Sequence, residues 1–227
     1  MSEGHISALV FITAWTVAVC LVMNRRRNQG KTAAKLLGLL MVFSELLRDS
    51  ILLFRGEFST GYLPLHLCSF CMGLCLIYGF FREERGAILC LVGLPGSISA
   101  LLFPNWSDLP LFHFISLHGY FFHALLLQGS LMPLITGELQ LEKRDFWRAE
   151  GFLVLAACGV APCNLLLHTN YMFLRWPSTD SPLEHLARIP GRFGYQTGLL
   201  ILASGVLFLT WKGIILLQRS CKIDKDF

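Results

Sequence analysis

Charged side chains are scarce in this sequence. Asp, Glu, Lys and Arg make up 15% of the 227 residues, whereas 54% of the residues are hydrophobic. Soluble domains have about a quarter of their residues charged, and one soluble core cannot bury this much apolar surface. The composition therefore excludes an ordinary soluble enzyme and predicts an integral membrane protein with several membrane-crossing helices.

Two further features are missing. No basic face carries interleaved aromatic residues, and the net charge is only +4, so we expect no nucleic-acid partner. The first apolar run, residues 6–23, lacks the positive segment that precedes the apolar part of a signal peptide, since Arg25 to Arg27 follow the run. We therefore predict that it is a retained transmembrane helix.

None of the eight cysteines falls in a predicted outside loop, which argues against an extracellular disulfide framework; the last, Cys221, lies in the C-terminal tail. Cys68, Cys71 and Cys75 have the spacing that places them on one helical face. Zinc binding there is one interpretation, but thiolates are costly in hydrocarbon and cysteine is also a small packing residue. We favour packing and expect neither a metal nor another cofactor.

Seven apolar segments have roughly the length that crosses a bilayer. They cover residues 6–23, 35–54, 63–81, 86–103, 112–135, 151–174 and 194–217. Residues 1–227 are therefore predicted to form one all-α domain, a polytopic membrane helical bundle of about seven transmembrane helices. In the longest connection, the stretch SPLEHLAR predicts a short interfacial helix.

The positive charges predict the orientation of the bundle. With the N-terminus outside, only Arg55, Arg175, Arg188 and Arg192 fall in outside connections, and most other Lys and Arg residues fall inside. The positive-inside rule therefore predicts an outside N-terminus and a cytoplasmic C-terminus.

Polar side chains from four predicted helices fall in the outer half of the membrane. They are Glu45, Arg48 and Asp49 in the second segment, His66 in the third, His118 in the fifth, and Asn164, Asn170 and Tyr171 in the sixth. Charges at this depth rarely face lipid, and Glu45 and Arg48 have the spacing of an internal ion pair. These residues either join the helices by hydrogen bonds or line a polar cavity that opens outward. We favour the cavity, with Glu45, Arg48, Asp49, Asn170 and Tyr171 as binding residues.

His66 and His118 are the candidate catalytic bases. Nucleophilic chemistry needs a hydroxyl or thiol beside such a base. Cys68 is two residues from His66 and so points elsewhere on a helix, whereas Ser69 is about one turn away. Arg48 or Asn170 is the candidate to stabilise an oxyanion or a headgroup. His123, five residues after His118, is expected to be structural, and a G-x-S-x-G elbow is absent.

Four blocks of sequence carry a resemblance to a known family. They are LPLHLC at Leu63–Cys68, LVGLPGSISALLFPN ending at Asn105, SLHGYFF at Ser116–Phe122 and NYMFLRWP at Asn170–Pro177. In order and spacing they resemble the bacterial YwaF-like integral membrane proteins. These are distantly similar to the transmembrane protein 164 acyltransferases and, further off, to the androgen-induced gene 1 lipid hydrolases. The resemblance implies a compact helical bundle, in a bacterial cell (inner) membrane, that acts on lipid acyl groups.

The resemblance carries over the histidines but not the nucleophile. In the eukaryotic acyltransferases a cysteine precedes the histidine of an N-P-C-H-L motif, and the matching position here is Leu65. His66 and His118 match the histidines. We therefore expect this protein to bind membrane lipids or to act on their acyl groups, with water or a substrate hydroxyl as nucleophile. The alternative is a non-catalytic small-solute transporter, or a membrane binding or assembly factor.

Overall fold

The structure, a computed structural model, describes residues 3–26, 29–81, 83–106, 108–179, 181–188 and 191–223, with no side-chain description for Arg192 and residues 221–223. Arg27 and the side chains of Arg192 and Cys221 therefore lie outside the described part. Within it the regular structure is helical and contains no strand, which confirms the all-α prediction. The helices are α1 (Glu3–Asn24), α2 (Gly30–Arg55), α3 (Leu67–Phe81), α4 (Glu84–Cys90), α5 (Gly93–Leu102), α6 (Phe114–Ile135), α7 (Lys143–Leu166), α8 (Leu183–Leu186) and α9 (Arg192–Ile223).

Four helical stretches are long and apolar enough to cross a membrane. They are α1, the α4–α5 pair over Glu84–Leu102, α7, and Phe193–Ser220 of α9. These stretches support an integral membrane protein. The count of seven spans and the orientation of the termini stay predictions, since α2 carries internal charges and α3 has only 15 residues.

Helix α2 packs most extensively against α6 and α3. Close contact with α3 depends on glycine. A Cβ atom at Gly79 would lie 2.7 Å from the backbone nitrogen of Lys35 on α2, whereas one at Gly73, on the same helix, would meet no atom within 4 Å. The absence of a side chain at Gly79 therefore sets the distance between these two helices.

Gly79→Ala is expected to lower the free energy of unfolding by about 1–3 kcal/mol, because the added methyl group must push the α2 backbone away. Gly73→Ala, the control on the same helix, is expected to leave stability unchanged or raise it by up to about 1 kcal/mol through helix propensity. Thermal unfolding in one detergent measures both variants. Equal stability of the two would show that α2 and α3 do not pack this closely.

The cysteines of α3 lie in the core. Cys71 and Cys75 are fully buried, Cys68 packs beside them, and the Sγ atom of Cys75 lies 2.7 Å from that of Cys90 on α4. Among the described residues, no group of three or more His, Cys, Asp or Glu side chains is placed to hold a metal ion. Cys68, Cys71 and Cys75 pack with the apolar side chains of the core.

Several predicted helix boundaries are wrong. Helix α3 begins at Leu67 and not at residue 63, so His66 precedes it and the His66 carbonyl accepts hydrogen bonds from the first turn. The fourth segment breaks at Leu91–Val92, where α5 restarts with Pro95 in a first turn that needs no proline N–H. Helix α7 ends at Leu166 and not at residue 174. A short helix, α8, forms within SPLEHLAR as predicted.

Candidate functional site

An ion cluster lies near the C-terminal end of α2. Helical spacing places Glu45, Arg48 and Asp49 side by side. Nη1 and Nη2 of Arg48 donate to the two carboxylate oxygens of Glu45 at 3.0 and 2.9 Å, and Nε donates to Oδ1 of Asp49 at 2.9 Å. The side chains of Glu45 and Arg48 are only 11% exposed. The internal Arg–carboxylate pair expected from the sequence is therefore present, and it is bidentate.

His118 of α6 lies against this cluster. Its Nε2 atom is 3.3 Å from Oε1 of Glu45, within ion-pair distance but short of hydrogen-bond geometry, and no other group among the described residues bonds to it. The imidazole ring is 10% exposed and stacks on Phe122 at 5.8 Å. Two carboxylates and one guanidinium leave the cluster one negative charge in excess, so a positive charge on His118 would balance it.

His66 approaches the same region from the segment before α3. Its Nδ1 atom accepts a hydrogen bond from the backbone N–H of Met172 at 3.3 Å, and its ring meets Tyr171 edge to face at 5.4 Å. The same segment reaches the cluster, since the Tyr62 carbonyl accepts from Nη2 of Arg48 at 3.0 Å. Because Nδ1 accepts, we assign the ring proton of neutral His66 to Nε2, which is left as a donor.

The loop after α7 supplies Tyr171 and holds His66. It contains three non-glycine residues in the left-handed region, His168, Met172 and Phe173, with φ of 54–56°. Such strain persists only where the surroundings enforce it. Here the hydroxyl of Tyr171 donates to the Thr60 carbonyl, and the Met172 N–H donates to His66.

Asn164 explains why α7 ends early. Its buried side-chain amide donates to the Tyr171 carbonyl at 2.9 Å and accepts from the Tyr171 N–H at 2.6 Å. These bonds turn the chain back on the last helical turn. Asn170 and Tyr171, predicted to extend the helix, therefore lie beyond it, where Tyr171 begins a short 3-10 turn, Tyr171–Phe173.

Arg48 and Asn170, the candidates to stabilise an oxyanion or a headgroup, already form hydrogen bonds within the protein. Each guanidinium nitrogen of Arg48 donates within the cluster, and one also donates to the Tyr62 carbonyl at 3.0 Å. Asn170 donates to the Trp176 carbonyl at 2.8 Å and accepts from the Arg175 N–H at 2.9 Å. Asn170 thus shapes the loop, and neither side chain is the best candidate to contact an oxyanion.

Arg175 also belongs to this region, although its sequence position predicted only a place in an outside connection. Its Nη1 atom donates to the carbonyls of Asn164 at 3.1 Å and Thr169 at 3.3 Å, so it fastens the loop to the end of α7. The one feature of the sequence that could have indicated this role is the position of Arg175 within the block NYMFLRWP. His123 has the structural role that was predicted, since its Nδ1–H donates to the Gly119 carbonyl at 2.8 Å.

A cavity of about 360 Å³ lies at the other end of the bundle, between the start of α7 and the last turns of α9. None of the predicted binding or catalytic residues lines it. The outward polar pocket around Glu45 therefore stays a prediction, supported by the convergence of charges and histidines.

The family model described as TMEM164 family matches residues 1–214. This chain belongs to the TMEM164 family. Neither a curated protein nor a solved structure matches it.

The match to the TMEM164 family confirms the resemblance to transmembrane protein 164, while the YwaF-like relationship stays an expectation. It spans every residue of the cluster and of the loop. Leu65, the position that the resemblance gives to a nucleophilic cysteine, packs in an apolar group with Val160 and Tyr171. This member therefore has a hydrocarbon side chain where a thiol is expected.

Proposed function

We propose that this protein is a membrane-embedded enzyme that hydrolyses or transfers acyl groups of membrane lipids, with His118 as the general base. The observation that carries the proposal is the placement of His118 Nε2 at 3.3 Å from a Glu45 carboxylate that Arg48 holds by two bonds. A fixed carboxylate stabilises the imidazolium that forms when a histidine accepts a proton. Burial strengthens this effect because the dielectric constant is low.

The two histidines have different roles in this proposal. Nε2 of His118 faces the carboxylate, so Nδ1 carries the lone pair that takes a proton. Nδ1 of His66 already accepts from the Met172 N–H, so its Nε2–H is a donor. His66 is therefore the group that stabilises negative charge, in place of Arg48 and Asn170.

The reaction follows from these roles. A hydroxyl group, from water in hydrolysis or from an acceptor lipid in transfer, gives its proton to His118 while its oxygen bonds to the ester carbonyl carbon. The carbonyl oxygen becomes negative and accepts a hydrogen bond from His66. The bond from that carbon to the leaving alcohol oxygen then breaks, the carbonyl re-forms, and His118 returns the proton to the alcohol.

The absence of a thiol at Leu65 predicts that no covalent acyl-enzyme accumulates. Intact-protein mass spectrometry during turnover is expected to show only the unmodified mass, since water or a substrate hydroxyl attacks directly. An acyl adduct on Cys68 or Ser69 would overturn direct attack and assign the nucleophile to that residue.

The test of the proposal uses purified protein in nanodiscs that contain phospholipid with a labelled acyl chain. We expect wild-type protein to release or transfer the label and His118→Ala to do neither. His113→Asn is the matched control, because His113 accepts the Ile115 N–H at the start of α6 and asparagine also caps helices. Lack of turnover by folded wild-type protein would contradict acyl chemistry and favour the binding or transport alternative.

The carrier alternative has weaker support. The break between α4 and α5 is the feature that suggests a transporter. Its residues Leu91 and Val92 are 0% and 2% exposed and pack in the core, so this break is closed in the structure.

A further inference from the structure

Side chains of α9 and of the segment before α7 line the cavity at the far end of the bundle, and hydrogen bonds hold these two elements together. Gln218 joins α9 to the segment before α7. The Oε1 atom of Gln218 accepts from the Leu141 N–H at 3.0 Å, and its Nε2 atom donates to the Leu139 carbonyl at 2.9 Å. Leu141 and Ile215 add apolar surface. The volume of about 360 Å³ is within the range of about 300–1,000 Å³ that small-ligand sites occupy.

Two cations line this cavity, Lys143 and Arg219. The carboxylate that also lines it, Glu142, is already paired with Nε of Arg144 at 2.8 Å and caps the first turn of α7. Within the part of the chain that the structure describes, neither Lys143 nor Arg219 has a carboxylate at ion-pair distance. The cavity therefore has two positive charges available to a ligand.

The location of the cavity points to the membrane surface. It lies at one end of α7 and α9, both long and apolar enough to span a bilayer. The start of α2 is at this end, since the Gly30 N–H donates to Glu138 at 2.6 Å. Arg48 is 18 residues further along α2, about 27 Å away at the helical rise, so this cavity is separate from the cluster around Glu45.

We propose that this cavity binds the headgroup of an anionic phospholipid. Lys143 and Arg219 contact the phosphate, and Leu141 and Ile215 contact the glycerol and the first methylene groups. A basic cavity between membrane helices at the surface is the kind of site that anionic headgroups occupy. The apolar wall favours a lipid over a free phosphate ion, which has no hydrocarbon to bury.

The test titrates phosphatidylglycerol against the purified full chain and counts bound lipids by native mass spectrometry, with phosphatidylcholine as the neutral comparison. The double variant Lys143→Gln/Arg219→Gln is expected to weaken phosphatidylglycerol binding roughly 30-fold, from the usual contribution of two cations near a membrane surface. Arg25→Gln/Arg26→Gln removes two charges at the same end of the bundle, outside the cavity, and is expected to keep the wild-type affinity.

Equal loss in both double variants would overturn the site and leave only general surface attraction. Displacement of the lipid by inorganic phosphate at equal concentration would overturn the lipid assignment in favour of a soluble anion. Retained binding in Lys143→Arg/Arg219→Lys supports the site and guards against loss through misfolding. Acyl turnover is not part of the readout, so failure here leaves the proposed function untouched.

Discussion

Arg48→Ala is expected to lower the free energy of unfolding by about 3–5 kcal/mol, the cost of leaving buried carboxylates without their partner. Arg48 forms both bonds to Glu45 and also bonds Asp49, and its side chain is 11% exposed. Its removal leaves two negative charges next to each other in a largely apolar bundle. Reversible unfolding in mixed micelles, followed by circular dichroism, measures the loss.

Arg144→Ala is the control for this prediction. Arg144 pairs with Glu142 at 2.8 Å, but the two side chains are 69% and 59% exposed. Because exposed ion pairs contribute little, we expect a loss of less than about 1 kcal/mol. Adding Glu45→Gln and Asp49→Asn to Arg48→Ala is expected to restore part of the stability by removing the unpaired charges. Equal losses for Arg48→Ala and Arg144→Ala would mean that the cluster is solvated.

His118→Ala is expected to lower the rate of acyl release about 10²- to 10⁴-fold, the usual contribution of a general base. The reason is direct: no other described imidazole lies within ion-pair distance of Glu45. The substitution removes a ring that touches Glu45 and Phe122 but no backbone group through a hydrogen bond, so the fold should survive. Melting temperature, measured in the same nanodiscs, checks that the protein remains folded.

The same assay separates the two histidines. His66→Ala is expected to lower the rate too, but it also frees the Met172 N–H and loosens the strained loop. His66→Gln offers a side-chain oxygen that accepts from the Met172 N–H. Compared with His66→Ala, we expect it to restore the stability of the loop more than the rate of acyl release. A His66→Gln variant with full activity would remove the donor role from His66.

Local spacing predicted the part of the site that lies on one helix. Glu45, Arg48 and Asp49 are close because helical periodicity brings such residues together. The approach of His118 to Glu45 joins α6 to α2, and its distance could not be read from the spacing of either helix. Orientation and segment boundaries predicted a common depth for these residues, and from this depth only a shared region could be inferred.

Side-chain to backbone bonds account for the errors. Apolar residues continue past Leu166, so periodicity extended α7 to residue 174, whereas the amide of Asn164 binds Tyr171 and ends the helix. Residues 63–66 are apolar enough to predict helix, but α3 begins only at Leu67, and the His66 side chain accepts the Met172 N–H instead. Side chains that bind the backbone in this way offer it an alternative to helix, and hydropathy does not record this.

The central claim is that Glu45 and His118 act as one unit in acyl chemistry, and a double-mutant cycle on labelled acyl release tests it most directly. Rates are measured for wild type, Glu45→Gln, His118→Ala and the double variant, all in nanodiscs of one lipid composition. We predict that each single variant is strongly impaired and that the double variant is hardly slower than His118→Ala, because the carboxylate acts through the imidazole. Independent effects that multiply in the double variant, or a His118→Ala rate equal to that of wild type, would contradict the account.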